Sequence, residues 1–166
     1  MKIKKIYFDM DGVLADFNRG VKELCGLDPL NQEKKTEADD DVMWEAIKNV
    51  DHFYARLELM PGALEMFRSL YEKYDVEILS GIPKPKRGIL TAGEDKIFWA
   101  HRMLDPNLKV NIVYREEKKN YVTGPDCVLI DDLQKNIKEW TESGGTGILF
   151  TSAEDVMKEI ERIDTM

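Results

Sequence analysis

The chain is poor in cysteine and histidine, and it contains no long apolar run. Of its two cysteines, Cys25 lies in a polar stretch and Cys127 inside the apolar run CVLI, so a disulfide framework is not expected. His52 and His101 have no partner at a recognised ligand spacing, and we assign neither of them to a metal site or to catalysis. The opening segment MKIKKIYFDMDG is too polar for a signal peptide or a membrane span. We therefore expect a reduced, cytoplasmic protein without a membrane partner.

An excess of basic residues is also missing. The 24 Lys and Arg residues are outnumbered by 32 Asp and Glu residues, which gives a formal net charge of −8. This charge argues against duplex nucleic acid or an anionic membrane as the main partner, and a small anionic substrate would need local cations. The length of 166 residues allows one α/β domain with room for a small insertion.

Five apolar segments that end in acidic, hydroxyl or basic residues predict short buried strands. Segments with helical spacing separate them. This alternation predicts a Rossmann-like, doubly wound parallel sheet, in which ligands bind beyond the carboxyl ends of the strands. The predicted strands are IKKIYFDMDG, VEILSG, VNIVYR, CVLIDD and GILFTS, and the predicted helices cover residues 43–49, 63–74, 96–104, 136–142 and 153–163.

The interval between the first two strands is longer than a crossover helix requires. We interpret residues 18–60 as a small helical cap inserted after the first strand, and residues 1–17 and 61–166 as the α/β core. The acidic run at 37–41 precedes an apolar helical pattern, where acids favour a helix N-terminus. Pro61 and Gly62 mark the return to the core.

Two carboxylates follow the first predicted strand. Asp9 and Asp11 are two residues apart, and Gly12 permits a sharp turn after them. Alternate residues share one side of a strand, so both carboxylates can face one pocket. One can then act as a nucleophile while the other transfers protons. The alternative is that both are turn residues that solvate the strand end.

A second acidic pair, Asp131 and Asp132, closes the CVLIDD strand in the same manner. Two pairs of carboxylates at one sheet edge would repel each other unless a cation lies between them. Hard oxygen ligands suit magnesium, which can also bind a substrate phosphate. The acidic residues therefore predict a Mg²⁺ site.

The remaining polar candidates are weaker when taken singly. Ser80 ends the VEILS strand and could donate a hydrogen bond to a phosphoryl oxygen, and Gly81 leaves a backbone amide accessible, although such a pair is commonly just a turn. Lys118 and Lys119 could neutralise charge on a transferring phosphoryl group. The basic loop GIPKPKRGILTAGEDK favours a solvated surface over substrate steering.

The string DMDGVLADF resembles the first motif of haloacid dehalogenase-type phosphatases, DxDG after an apolar strand. Their other motifs follow in order as Ser80, as Lys119 or Lys118, and as the Asp131 and Asp132 pair. The resemblance covers the whole core. It implies a magnesium-dependent phosphohydrolase, and local register favours Lys119 over Lys118 for the third motif.

The same resemblance implies a role for each acid. Asp9 would form an aspartyl-phosphate, and Asp11 would protonate the leaving oxygen and then activate water. The Asp9 side chain, the Asp11 backbone carbonyl and the Asp132 side chain would hold Mg²⁺. Asp131 would support this shell.

Within that superfamily, the sequence is most similar to the 5'(3')-deoxyribonucleotidases, through DMDGVLADF, LELMPGA, and LIDD followed by Asn136. This similarity implies a nucleoside monophosphate substrate, preferably deoxy, with Phe17 at the nucleotide site; Phe17 could equally be a core aromatic of the first helix. The chain departs from the family pattern after the second strand, where it has SGIP. Its cap aromatics Trp44, Phe53 and Tyr54 are not in register with the aromatic stretch of that family, so the sequence does not predict contacts to a nucleobase.

Three alternatives remain open from the sequence. The chain could be a phosphatase for another small phosphate ester, a regulatory phospho-acceptor domain, or a silent module that binds a phosphorylated ligand. Phospho-acceptor domains carry their acidic pair on the first strand, whereas here the pair ends the fourth. A silent module would be expected to lack Asp9 or Asp11, and both are present. The order of motifs favours the hydrolase, and oligomeric state is not predicted.

Overall fold

The computed structural model describes residues 1–28 and 36–166. Five strands form one parallel sheet in the order β3-β2-β1-β4-β5, which confirms the predicted doubly wound α/β fold. Phe8 of β1 is paired with Ile78 of β2 and with Ile130 of β4, so these strands end close together. The strands are β1 (Lys5–Phe8), β2 (Asp75–Gly81), β3 (Val110–Val113), β4 (Cys127–Asp131) and β5 (Thr146–Leu149).

Six α-helices and three short 3₁₀ helices connect the strands within the described residues. All five predicted helices are present, and α4 begins at Ala92, four residues earlier than the pattern indicated. The α-helices are α1 (Phe17–Cys25), α2 (Glu37–Lys48), α3 (Ala63–Lys73), α4 (Ala92–Met103), α5 (Gln134–Glu142) and α6 (Ala153–Asp164), and the 3₁₀ helices are Phe53–Arg56, Pro85–Arg87 and Arg115–Tyr121.

Strand residues alternate between two apolar layers, because successive side chains of a strand point to opposite faces of the sheet. Ile6, Phe8 and Ile78 belong to the larger layer, which also contains residues of α3, α4 and α6. Tyr7 and Leu129 belong to the smaller layer, which contains Trp140 of α5 and borders the 3₁₀ helix Arg115–Tyr121. Each face of the sheet is thus covered by helices, as a buried parallel sheet requires.

The segment between β1 and α3 contains α1, α2 and the 3₁₀ helix Phe53–Arg56. Thr36 caps α2 through a reciprocal hydrogen-bond pair with Asp39, which is the helix start that the acidic run predicted. Residues 29–35 of the predicted cap lie outside the described residues, and the division into a cap at 18–60 and a core stays a prediction. None of the helices in the described ranges is long and apolar enough to cross a membrane.

Candidate active site

The turn after β1 is shaped by Gly12. The backbone amides of Leu14 and Ala15 both donate to the Met10 carbonyl, which closes the turn around Asp11. Gly12 has φ of 81°, and a Cβ atom there would lie 2.0 Å from an Asp132 carboxylate oxygen. Glycine is therefore needed twice over, for its backbone conformation and to let the ends of β1 and β4 approach.

Three carboxylates converge where these two strands end. Asp9, Asp131 and Asp132 each offer an oxygen within 4.8 Å of the others. Asp9 and Asp131 are buried, whereas Asp132 is exposed to solvent. Desolvation and the nearby Asp9 charge raise the pKa values of Asp131 and Asp132 above the usual range for a carboxyl group. The cluster thus concentrates negative charge that a cation would stabilise.

Lys118 lies between two of these carboxylates. Its Nζ donates to Asp9 at 2.9 Å and to Asp131 at 2.8 Å, and the residue is 4% exposed. Burial acts to lower the Lys118 pKa, but the charges of Asp9 and Asp131 outweigh it and the pKa is raised. Lys118 therefore stays an ammonium group beside Asp9.

The expectation that favoured Lys119 is corrected by this geometry, because Lys119 is exposed and Lys118 occupies the position beside Asp9. The cause is the 3₁₀ helix Arg115–Tyr121, in which residues three apart share one side. Arg115 and Lys118 consequently both line the cavity. Counting residues back from Asp131 and Asp132 in the sequence could not reveal this short helix.

Asp131 is held by donors from three directions. The Leu133 amide donates to one oxygen at 2.9 Å, while Asn136 and Lys118 donate to the other at 3.0 and 2.8 Å. Arg115 in turn donates to the Asn136 side chain at 2.8 Å. Asp131 therefore anchors Lys118 and α5 at the sheet edge.

Ser80 lies beneath the cavity wall. Its side chain is fully buried and accepts a hydrogen bond of 2.8 Å from Lys96, so it does not meet the cavity as the sequence suggested. Gly81 forms the wall instead, and a Cβ atom there would lie 3.3 Å from the Arg115 amide nitrogen. The alternation of β2 explains the difference, because Ser80 faces the layer that contains α4 and Gly81 faces the opposite one.

Lys96 was not identified from the sequence as a site residue. It is fully buried, and its Nζ lies 2.9 Å from Asp11 Oδ2. The sequence did contain an indication that Lys96 is paired. Lys96 lies on the inward face of α4 with Trp99 and Ala100, where burial of an unpaired lysine would cost free energy. A lysine on an apolar helix face predicts a buried partner.

A cavity of about 520 Å³ opens above the carboxylates. Phe17 lies on its wall, stacked against Tyr54 at a centroid distance of 6.4 Å and tilted against Trp44 at the same distance. Phe53 packs edge-on against Phe17 from behind. The fold thus brings Trp44, Phe53 and Tyr54 together around Phe17, although their positions in the sequence do not match the aromatic stretch of the deoxyribonucleotidases. Met43, Met60, Ile82 and Pro83 complete the apolar part of the wall.

The basic side chains early in the loop after β2 pair with carboxylates outside the cavity. Arg87 pairs with Asp41 at 2.6 Å, and Lys84 pairs with Glu116. Lys86 is exposed. Lys84, Lys86 and Arg87 therefore do not line the cavity, whereas Gly81, Ile82 and Pro83 of the same loop do.

The parallel sheet, with acidic residues at the ends of β1 and β4, has the α/β fold of haloacid dehalogenase-like hydrolases. Solved structures with this fold include a haloacid dehalogenase-like hydrolase from Xanthomonas campestris (TM-score 0.65, 13% identity, 98% of this chain and 92% of that one). A hydrolase of this superfamily from Ehrlichia chaffeensis is similar (TM-score 0.61, 15% identity, 98% of each chain). A Deinococcus radiodurans member, solved with phosphate and sodium, has a TM-score of 0.55 at 15% identity over 87% of this chain and 79% of that one.

The sequence profile of the family "5' nucleotidase, deoxy (Pyrimidine), cytosolic type C protein" matches residues 2–166, and the chain belongs to that family. A provisionally assigned 5'(3')-deoxyribonucleotidase of Vibrio phage KVP40 is 27% identical over 132 residues, which cover 79% of this chain and 67% of the phage protein. The chain is thus a phosphatase-class, 5'-nucleotidase-like hydrolase, and the predicted enzyme class is confirmed.

Proposed function

We propose that this protein is a magnesium-dependent phosphomonoesterase that removes phosphate from deoxynucleoside or nucleoside monophosphates through an aspartyl-phosphate on Asp9. The observation that carries the proposal is the position of Asp9 on the cavity floor. Its carboxylate meets the Lys118 ammonium at 2.9 Å and lies beside two further carboxylates. A nucleophile, a cation for the phosphoryl group and oxygen ligands for a metal thus occupy one site.

The donor set fits Mg²⁺. Asp9 and Asp132 would hold the ion through their side chains and Asp11 through its backbone carbonyl, while Asp131 is already engaged by three donors. Burial and the nearby Asp9 charge raise the pKa values of Asp131 and Asp132, and a bound cation would favour the ionised forms of both groups. When bound, Mg²⁺ would neutralise phosphate charge and orient the substrate.

The side chains of the chain perform the transfer in two halves. A carboxylate oxygen of Asp9 attacks phosphorus, the ester bond breaks, and the leaving oxygen takes a proton from the Asp11 carboxyl group. Water then attacks phosphorus, Asp11 takes its proton, and the bond from Asp9 to phosphorus breaks to release phosphate. Lys118 stabilises charge at the phosphoryl oxygens during both halves.

Binding of Mg²⁺ is expected to release protons and to depend on pH. Because the pKa values of Asp131 and Asp132 are raised in the folded protein, these groups favour folding at low pH, and that stability is lost as pH rises through their folded pKa values. Mg²⁺ should therefore raise Tm more at pH 8 than at pH 5.5. Thermal unfolding and calorimetry in buffers of different ionisation enthalpy measure both effects.

Asp132→Asn is the matched variant for this experiment. It should bind Mg²⁺ more weakly and release fewer protons, and its metal-free form should lose less stability as the pH rises. An equal rise in Tm at the two pH values, with no proton released by the wild-type protein, would contradict the proposed metal site.

The aromatic part of the cavity supports a nucleoside as the leaving group. Phe17, Trp44 and Tyr54 lie on the same cavity as the carboxylates, and a flat base gains stacking free energy on such rings. A sugar phosphate would leave this apolar wall unused. The family name, which specifies a deoxynucleotidase, supports the same substrate class.

Trp44→Ala is expected to raise KM for deoxynucleoside 5'-monophosphates roughly 5-fold to 150-fold, because stacking of a base is worth about 1–3 kcal/mol. The KM for deoxyribose 5-phosphate should change little, since that ester has no base. Phe98→Ala is the control, because Phe98 is an aromatic residue exposed on α4 outside the cavity. An equal rise in KM for both esters would mean that the base does not bind against Trp44.

A screen of monophosphate esters with the wild-type protein and Mg²⁺ tests the function as a whole. Faster release of phosphate from deoxynucleotides than from sugar phosphates would support the proposal. A preference for a sugar phosphate would assign the site to another small ester. No turnover of any ester, including 4-nitrophenyl phosphate, would indicate a module that binds phosphorylated ligands without hydrolysing them.

A further inference from the structure

The contacts of Lys96 are those of a side chain held in one position. Its Nζ donates to Asp11 Oδ2 at 2.9 Å, to Ser80 Oγ at 2.8 Å and to the Gly81 carbonyl at 2.8 Å. These three acceptors match the three protons of an ammonium group. The Tyr54 ring lies 4.6 Å from Nζ, and the lysine is fully buried.

Two of the three acceptors belong to the end of β2, and Lys96 itself belongs to α4. Both elements are part of the sheet and its helical layer, so the ammonium group is fixed by the scaffold. Asp11, in contrast, lies on the turn after β1, and its side chain is 25% exposed. Lys96 is therefore the link that ties the carboxylate of a turn residue to two rigid elements.

The two carboxylate oxygens of Asp11 differ in their hydrogen bonding. Oδ2 accepts the hydrogen bond from Lys96, whereas Oδ1 is buried and has no hydrogen-bond partner among the described residues. Asp11 lies on the same cavity as Asp9. The contact with Lys96 thus fixes the orientation of the Asp11 carboxyl group beside the cavity.

We infer that Lys96 is a positioning residue for proton transfer, which holds the Asp11 carboxyl group in place beside the cavity through its contact with Oδ2. The inference rests on the proposed function and extends it to a residue that does not line the cavity. In the first half, the ester bond breaks as the proton on the Asp11 carboxyl group passes to the leaving oxygen. In the second half, a proton of the attacking water returns to the Asp11 carboxylate as the bond from Asp9 to phosphorus breaks.

The experiment measures how strongly the rate depends on the leaving group. Lys96→Met removes the ammonium group and keeps a long apolar side chain. A nucleoside or other alkyl leaving group needs a proton, whereas 4-nitrophenolate leaves without one. For Lys96→Met, kcat/KM on a deoxynucleoside 5'-monophosphate should fall about 100-fold or more, and kcat/KM on 4-nitrophenyl phosphate should fall less than about 10-fold.

Trp99→Phe is the matched control. Trp99 is buried on the same helix and donates to the Leu57 carbonyl, so its replacement disturbs the packing of α4 without touching Asp11. It should lower the rates on both esters by the same factor. A role of Lys96 in packing alone would give the pattern of this control.

A double-mutant comparison with Asp11→Asn adds an independent readout. If Lys96 acts through Asp11, Lys96→Met should have almost no further effect on kcat in the Asp11→Asn background. Should Lys96→Met fail to fold, Ser80→Ala removes one of the three acceptors. That variant should show the same selective loss on a smaller scale.

Equal losses on the two esters, or full additivity with Asp11→Asn, would overturn the inference. A wild-type protein that hydrolyses no phosphate ester would instead refute the proposed function. The two failures are distinguishable, because the first requires an active wild-type enzyme. Wild-type turnover of both esters, with a selective loss in Lys96→Met, supports both.

Discussion

Asp9→Asn is expected to lower kcat for every phosphate ester by roughly 10⁴-fold or more, while the protein stays folded. An amide has no anionic oxygen with which to attack phosphorus, so the covalent intermediate cannot form. The shape of the side chain is retained, and Lys118 keeps Asp131 as its other partner at 2.8 Å. Removing one of the three clustered carboxylates also relieves repulsion. The fold should therefore be at least as stable in the absence of metal.

Asp126→Asn provides the control, because Asp126 precedes β4 at the opposite end from the site. Phosphate release should be followed with saturating Mg²⁺, alongside circular dichroism and thermal unfolding of both variants. An Asp9→Asn enzyme that retained turnover near the wild-type rate would refute the assignment of the nucleophile. Loss of activity together with loss of the fold would require repetition with Asp9→Ser.

The fold was predictable because two signals agreed. Apolar segments that end in polar residues alternated with helical patterns, and each strand of the sheet coincides with one of those segments. Asp9 and Asp131 could be placed at one edge since parallel strands share a carboxyl end. These predictions depend on local pattern and on sheet direction, both of which a single sequence contains.

The side-chain partners were not predictable in the same manner. Lys96 and Tyr54 approach Asp11 through the packing of α4 and of the 3₁₀ helix Phe53–Arg56, which depends on contacts between residues far apart in the chain. The grouping of Trp44 with Phe17 has the same origin. Spacing along the chain could not reveal this arrangement, because the intervening segment folds back on the turn after β1.

The 3₁₀ helix Arg115–Tyr121 places Lys118, and not Lys119, beside Asp9. Lys118→Met is expected to lower kcat about 1,000-fold, since it removes the cation that contacts Asp9 at 2.9 Å. It should also destabilise the metal-free protein by about 3–5 kcal/mol, because Asp9 and Asp131 lose their buried partner. Mg²⁺ should recover part of this stability.

Lys119→Met is the matched variant, because it removes the same charge one residue further along the same helix. Lys119 is exposed, so its loss should change kcat by about twofold or less and leave Tm near the wild-type value. Both variants should be assayed on one deoxynucleotide with Mg²⁺ present, and Lys118→Arg would separate loss of charge from loss of shape. A large loss in Lys119→Met with a small one in Lys118→Met would mean that the helix rotates by one residue when substrate binds. The buried pair of Lys118 with Asp131 argues against that rotation, because it would leave a fully buried carboxylate without its cation.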